Sequence, residues 1–167
     1  MYTKIASTEV TSSVASVYLT GIATNDPHLI MIANVAPSTD NVSLYGTVTK
    51  SGSEDTSSNY DQTYKNMYDQ TYGIGNSHNA NESFMNMGNC GTGTSETHNA
   101  FFWLYNFADT GLASSLTRTT MNISSDQKLY GQIGATAHTV SSASDGIRFY
   151  FSGGLIASGT FVMWKVT

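Results

Sequence analysis

The chain has 167 residues, a net charge of −5 and a sequence pI near 5.1. Charged residues make up only 11% of it while hydrophobic residues reach 40%, a balance that excludes a disordered chain. The seven basic residues are scattered and form no basic stripe, which argues against nucleic-acid binding. No run approaches the roughly 18 apolar residues that span a bilayer, and no apolar signal segment follows Met1. We therefore expect a soluble protein that is made in the cytoplasm.

Composition also indicates the class of secondary structure. Polarity comes mainly from Ser, Thr, Asn and Gly, while the strong helix formers Glu, Lys and Arg are scarce. With many short segments bounded by turn residues, this composition predicts an all-β fold, a two-sheet antiparallel sandwich that is jelly-roll-like. The length fits one domain. We place that domain at residues 14–167, after a polar N-terminal arm or edge segment at residues 1–13.

The first part of the domain predicts three strands. Residues 14–19 have the apolar spacing of a short strand, and turn residues follow them. Residues 29–33 form a continuous apolar run, which at this length suits a strand buried on both faces. Residues 42–49 alternate between apolar and polar side chains and predict a half-exposed strand. Gly46 on its inner face indicates a bulge or a close neighbouring backbone.

A local duplication follows, because the sequence Tyr-Asp-Gln-Thr-Tyr at residues 60–64 recurs at residues 68–72. Its four tyrosines are Tyr60, Tyr64, Tyr68 and Tyr72. Their spacing of four places them all on one face of a strand. The Asp and Thr content favours a strand or hairpin over a helix. Two interpretations remain open: a packed tyrosine stripe, or a face that binds a partner or a sugar, because tyrosine is rigid and amphipathic.

Residues 73–93 are rich in Gly, Asn and Ser and predict a long loop. Loops of this length tend to be functional or to be stabilised by a partner. Phe84, Met85 and Met87 would dock this loop onto something apolar. Together with the four tyrosines, these three residues form the predicted interface.

The second part of the chain contains its most apolar segments. Residues 101–107 form the most aromatic strand, and residues 116–123 and 129–136 predict two more. Residues 145–151 and 160–166 alternate with strand periodicity around a Ser-Gly-Gly turn, which predicts a central β-hairpin. The predicted core consists of Leu29, Ile30, Ile32, Leu44, Phe102, Leu104, Ile147, Phe149, Phe151, Phe161 and Met163.

The sequence shows no constellation of catalytic or metal-ligating residues. His78, Cys90 and His98 fall in one region, but their spacing matches no zinc signature. A glycosidase needs two facing carboxylates, and each candidate lies in a predicted polar loop where solvation is the default. These candidates are Asp61, Asp69, Glu82 and Glu96. We therefore predict no catalytic residue, no metal and no cofactor, and a protein that is not an enzyme.

Several stretches of the chain are similar to motifs of one protein family. Residues 35–45 read Val-Ala-Pro-Ser-Thr-Asp-Asn-Val-Ser-Leu-Tyr, and residues 93–96 read Gly-Thr-Ser-Glu ahead of the aromatic strand. Residues 147–161 read Ile-Arg-Phe-Tyr-Phe-Ser-Gly-Gly-Leu-Ile-Ala-Ser-Gly-Thr-Phe. In this order they resemble a family of small structural proteins of tailed bacteriophages, common among marine and cyanobacterial phages. The resemblance covers nearly the whole chain, although Met-Trp-Lys at residues 163–165 replaces the family's closing Leu-Tyr-Gly.

The resemblance implies a virion component. We expect a capsid decoration or cement protein on the outer surface of the head, where it stabilises the shell and binds the major capsid protein or other virion proteins. The alternative is a tail-fibre or receptor-binding adhesin that recognises host glycans. Neither coiled-coil heptads nor the long repeats of a fibre shaft are present in the sequence, which favours decoration.

The low charge also bears on self-association. Few charges mean weak repulsion between copies, and virion β-sandwich proteins often assemble as trimers. We therefore predict a homo-oligomer, with a trimer favoured over a dimer, and no nucleic-acid or membrane partner.

Overall fold

The computed structural model describes residues 1–68, 74–123 and 129–167, and these residues form strands joined by turns. The strands are β1 (Tyr2–Val10), β2 (Val17–Thr20), β3 (His28–Pro37), β4 (Val42–Lys50), β5 (Ser53–Glu54), β6 (Tyr60–Tyr68), β7 (Ile74–Glu82), β8 (Met85–Cys90), β9 (His98–Tyr105), β10 (Ser114–Ile123), β11 (Leu129–His138), β12 (Gly146–Phe151) and β13 (Ile156–Val166). Within the described ranges there is no helix, and so none that is long and apolar enough to cross a membrane.

The strands pair into two antiparallel sheets. The larger sheet has the order β1-β13-β3-β9-β10-β11-β6-β7. The smaller sheet has the order β2-β12-β4-β5, and β8 also pairs with β4. The structure therefore confirms the predicted all-β sandwich of two antiparallel sheets.

Eight of these strands have the nested pairing of a jelly roll. One half runs β1-β13-β3-β9 and the other runs β2-β12-β4-β8. The first strand thus lies beside the last, and the second lies beside the last but one, as in jelly rolls generally. The strand pairs β6–β7 and β10–β11 extend the first half beyond β9. This extension adds a wide surface to one side of the sandwich.

The inner faces of the two sheets meet in one apolar core. Phe149 of β12 lies 5.4 Å from Phe161 of β13 and 6.0 Å from Phe102 of β9, measured between ring centroids. These three buried rings join the smaller sheet to the larger one. Every residue of the predicted core is buried except Leu29, which lies half-exposed on the outer face of β3.

The predicted C-terminal β-hairpin is wrong, although both of its arms are strands. β12 pairs with β2 and β4 in the smaller sheet, whereas β13 pairs with β1 and β3 in the larger one. The Ser-Gly-Gly connection carries the chain from one sheet to the other, and Gly154 adopts a φ of 72° there. Each arm has an apolar inner face, and the two faces bury each other across the sandwich instead of lying edge to edge.

The segment at residues 73–93, which was predicted to be a loop, contains β7 and β8. Met85 and Met87 of β8 are buried in the core, and their burial stabilises a strand whose local propensity is low. The methyl of Met87 occupies the space beside Gly46 that a Cβ atom would need. The close approach predicted at Gly46 is thus real, but the neighbour is a side chain.

The apolar run at residues 29–33 was predicted to be buried on both faces, and this is wrong. Within β3, Ile30 and Ile32 are buried while Leu29 and Met31 are half-exposed. A continuous apolar run does not reveal whether a second layer exists to cover its other face.

The N-terminal segment at residues 1–13 is an edge strand of its own sheet. β1 pairs with β13 along nearly its whole length, and it ends the larger sheet on that side. The two chain termini also meet, since the Met1 amino group donates a hydrogen bond to the carbonyl oxygen of Thr167. Of the two expectations for this segment, arm or edge, the structure shows the edge.

Candidate functional site

The predicted tyrosine interface lies mainly inside the fold. In β6, Tyr60 is fully buried and Tyr64 is half-buried on the inner face of the larger sheet. Tyr68 ends β6, but its side chain and the whole of Tyr72 lie outside the described residues. For Tyr60 the packed interpretation is correct and the partner-binding one is wrong, because the face that it occupies packs against the sandwich.

Of the other predicted interface residues, two turn inward and one lies on the outer side of the smaller sheet. Met85 and Met87 are 2% and 0% exposed, so as interface residues they were predicted wrongly. Phe84 precedes β8 and stacks on Tyr45 of β4, with ring centroids 3.9 Å apart. Among the predicted interface side chains that the structure describes, Tyr64 and Phe84 are the ones that remain partly exposed.

A polar cluster anchors β6 to the segment that follows β5. The Tyr60 hydroxyl donates a hydrogen bond of 2.6 Å to the carbonyl oxygen of Asp55 and accepts one of 3.0 Å from the Val48 N–H. The Asp55 carboxylate oxygen Oδ2 lies 2.7 Å from Lys50 Nζ and 3.2 Å from His138 Nε2. Tyr60 and His138 are 0% and 2% exposed, so a substrate cannot reach them. The cluster is a structural anchor.

Burial and charge set the protonation of this cluster. Burial by itself raises the pKa of the Asp55 carboxyl, but hydrogen bonds from Lys50 and Ser57 outweigh it and hold that pKa well below its usual range. Burial lowers the pKa of His138, and the charge of Lys50 lowers it further. Asp55 is therefore ionised and His138 is neutral in the folded protein at neutral pH.

This protonation makes the stability depend on pH. The pKa of His138 is lowered from its ordinary value of 6.5 on folding, so the unfolded chain takes up a proton first as the pH falls. Stability is then fully present above the unfolded pKa and is lost below it. We expect the free energy of unfolding, measured by urea denaturation, to fall between about pH 7.5 and pH 5.5.

His138→Gln should reduce this slope without abolishing it, because burial lowers the pKa of His28 in the same direction. His78→Gln on the exposed outer side of β7 controls for the loss of an imidazole and should leave the slope as it is in the unchanged chain. An equal slope in all three proteins would contradict the assignment to His138.

The three candidate metal ligands lie in different environments. His98 and Cys90 are buried on β9 and β8, while His78 is exposed on β7. The described residues contain no group of three or more His, Cys, Asp or Glu side chains that could hold a metal ion. Burial raises the pKa of the Cys90 thiol to about 12, so this thiol is protonated and unreactive at neutral pH.

Two of the carboxylates that were candidates for glycosidase chemistry bind backbone N–H groups of the chain. Asp61 accepts a hydrogen bond of 2.9 Å from the Asn81 N–H and joins β6 to β7. Glu96 is 4% exposed and accepts one of 2.9 Å from the Gly93 N–H, which closes a turn. It was predicted to be solvated and is buried instead. Asp69 lies outside the described residues.

The outer side of the larger sheet contains an apolar surface that the sequence analysis missed. Across β13, β3 and β9 the register places six apolar residues in two adjacent rows. One row is Trp164, Leu29 and Trp103, and the other is Val162, Met31 and Phe101. We call these six residues the outer apolar face. Phe101 is 50% exposed and the other five are half-buried, with a groove of about 340 Å³ beside Met31 and Phe101.

The signal for this surface was present in the sequence. In β9, Phe101 and Trp103 alternate with Phe102 and Leu104, so both faces of the strand are apolar. Two-sided burial was predicted for the comparable apolar run at residues 29–33. The smaller sheet covers the inner face alone, and the outer face has no second layer among the described residues.

A second surface lies on the outer side of the smaller sheet. Tyr18 of β2, Arg148 and Tyr150 of β12 and Tyr45 of β4 are neighbours in register, and Phe84 stacks on Tyr45. We call these five residues the aromatic–arginine cluster. Phe84 is the one member that belongs to the interface predicted from the sequence, and the other four could not be grouped because they come from strands that are far apart in the chain. Among known proteins, no family model, no curated protein sequence and no solved structure matches this chain.

Proposed function

We propose that this protein is a structural component of a bacteriophage virion, a decoration or cement protein on the outer surface of the head. The observation that carries the proposal is the outer apolar face. Exposed apolar surface that is contiguous across several strands is a typical feature of a protein-binding surface. Together with the virion resemblance of the sequence, it favours a structural over a catalytic role.

The register supports this surface as a site of protein contact. The row that contains Trp164 reaches a charged residue, Lys4, at the β1 edge of the sheet. The row that contains Phe101 continues in the opposite direction and reaches its first charged residue, Lys65, on β6. Between these two lysines the rows contain apolar, Thr and Ala side chains. A partner can therefore bury the centre of the sheet without desolvating a charge, which is the costly part of forming a protein interface.

The major capsid protein is the partner that the proposal assigns to this face. A decoration protein meets the same capsid surface many times over one lattice, so a modest contact of each copy adds up to a stabilised shell. The free edge of β1 offers a second contact, because an edge strand presents unpaired backbone groups to a neighbouring sheet. The proposal also includes self-association of the protein as a trimer within the virion.

A receptor-binding adhesin is the second candidate function. Jelly rolls occur in capsid and lectin domains alike, so the fold does not decide between the two. The specific observation that favours an adhesin is the aromatic–arginine cluster, which combines ring surfaces with hydrogen-bonding groups.

Copy number tests the proposed function directly. We expect quantitative mass spectrometry of purified virions to find on the order of hundreds of copies per particle, comparable with the capsid protein, because a cement protein occupies the whole lattice. Treating the virions so that tails detach from heads gives the control, since the protein should remain with the heads. A count on the order of tens of copies that remain with the tails would contradict decoration and favour the adhesin.

A further inference from the structure

The aromatic–arginine cluster is a continuous surface built by three strands of the smaller sheet. Alternation turns Phe149 inward and leaves Arg148 and Tyr150 outward on β12. Arg148 lies opposite Tyr18 on one side and opposite Thr47 on the other, while Tyr150 lies opposite Tyr45. The outward side chains of β2, β12 and β4 therefore form two adjacent rows, in which tyrosine rings surround the Arg148 guanidinium.

The rings and the guanidinium hold one another in place. The Arg148 Cζ atom lies 4.2 Å from the ring centroid of Tyr150 and 5.9 Å from that of Tyr18. Tyr45 meets Tyr150 edge to face at 5.8 Å and stacks on Phe84. Cation–π contacts and aromatic pairs of this kind stabilise a fixed geometry. The surface is thus organised before any ligand arrives, which lowers the entropy cost of binding.

One acidic residue balances the charge of the cluster. Glu54 of β5 accepts a hydrogen bond of 3.0 Å from the Tyr18 hydroxyl, and its second oxygen lies 3.5 Å from Arg148 Nη1. Hydrogen bonds from its own backbone and from Tyr18 lower the pKa of Glu54, so its carboxylate is ionised. The surface then contains one positive and one negative group side by side. It offers both donors and acceptors and has no net charge that would attract an anion.

Two polar atoms at the centre of the cluster lack a hydrogen-bond partner within the described part of the chain. They are the Thr47 hydroxyl, on a residue that is 0% exposed, and the Arg148 Nε atom. Buried polar groups are rarely left unsatisfied in native proteins, and such exceptions often mark a bound water or ligand. Thr47 and Arg148 are opposed in register, and both atoms are closed off from the surface, so an enclosed water is the partner that fits them. Contacts with a ligand belong to the partly exposed rings, the guanidinium N–H groups of Arg148 and the Glu54 carboxylate.

From this arrangement we propose that the aromatic–arginine cluster binds a neutral polysaccharide. A pyranose ring has an apolar C–H face and a rim of hydroxyls. The C–H face is complementary to the electron-rich faces of the tyrosine rings, and the hydroxyls to a guanidinium–carboxylate pair. An anionic polysaccharide is a poorer match, because the cluster is neutral and the protein has a net charge of −5.

This inference is independent of the decoration proposal, because it concerns the opposite sheet of the sandwich. A head protein that displays the cluster outward can bind glycans, and so can an adhesin. Failure of the glycan test therefore leaves the capsid contact of the outer apolar face unaffected, and the copy-number measurement can fail while this test succeeds.

Affinity electrophoresis through gels that contain a defined polysaccharide tests the proposal. We use dextran, mannan and galactan as neutral probes and alginate as the anionic probe. We expect at least one neutral probe to retard the protein, and alginate not to. Retardation by none of the neutral probes, or by alginate alone, would overturn the proposal.

Matched variants locate the binding surface. Arg148→Ala and Tyr45→Ala should each weaken retardation by about tenfold or more, the effect expected when a charged hydrogen-bond donor or an aromatic contact is lost. Tyr105→Ala is the control, since Tyr105 is 36% exposed on the outer side of the other sheet. Glu54→Gln removes the charge but keeps the shape of the side chain, and it should weaken binding less than Arg148→Ala does. Thermal unfolding verifies that each variant is folded, and unchanged retardation of folded Arg148→Ala and Tyr45→Ala would overturn the assignment.

Discussion

Replacing Phe149 by alanine is expected to lower the free energy of unfolding by about 3–5 kcal/mol, the largest effect of any single truncation considered for this protein. Phe149 is fully buried and lies between Phe102 and Phe161, so its ring joins the smaller sheet to the larger one. Its removal loses apolar burial and leaves a cavity that rigid strands on both sides cannot close. Urea denaturation followed by circular dichroism or tryptophan fluorescence measures the change.

The chain provides a matched control for this substitution. Phe101→Ala removes the same kind of side chain from β9, next to Phe102, where Phe101 is 50% exposed on the outer apolar face. Because about half of that ring is already in water, we expect a loss of about 1 kcal/mol or less. Equal losses for Phe149→Ala and Phe101→Ala would contradict the position of the core between the two sheets.

Introducing a charge at Phe101 is expected to have the largest effect on binding to the capsid. Phe101→Asp places a carboxylate at the exposed centre of the outer apolar face, where a bound partner would have to desolvate it without an opposite charge nearby. We expect the affinity for capsids that lack the protein to fall by about thirtyfold or more, the effect typical of an aromatic hot spot. Co-sedimentation of purified protein with such capsids measures this change.

Two further measurements make the result specific. Ala80→Asp introduces the same charge at an exposed position of β7, which is the last strand at the far end of the same sheet. This variant should bind capsids within about threefold of the unchanged protein. Light scattering at micromolar concentration should give a trimer mass for the unchanged chain and for both variants, because the proposal assigns the outer apolar face to the capsid. A monomer mass for the unchanged chain would contradict the predicted trimer. Undiminished capsid binding by Phe101→Asp would contradict the docking surface.

The sequence-based interface prediction failed for a physical reason. The spacing of Tyr60 and Tyr64 correctly places them on one face of β6, but alternation alone does not say whether that face points into the sandwich or to solvent. The choice was made by the pairing of β6 with β11 in the extended sheet, which turns the tyrosine face towards the core. For the same reason Met85 and Met87 look like exposed loop residues in the sequence and are core residues in the structure.

The outer surfaces show the converse limit. The apolar residues of β3, β9 and β13 were all recognised as strand residues, yet the run at residues 29–33 was predicted to be covered on both faces and no exposed apolar face was predicted for any of them. Both candidate sites depend on which strands become neighbours. Tyr18, Tyr45 and Arg148 come together through pairings between segments that are far apart in the chain, and a local pattern contains no information about such pairings.

Local sequence patterns were enough to define the local character of the chain. Scarcity of helix formers, apolar alternation and frequent turn residues were sufficient for an all-β sandwich and for nearly all of its core, because these depend on a two-residue period and on burial. Three features required the three-dimensional structure: β12 and β13 belong to opposite sheets, residues 74–90 contain two strands, and particular apolar faces stay exposed. These features follow from long-range hydrogen bonding and packing. Summed over a whole strand, these interactions exceed the small local preferences of the individual residues.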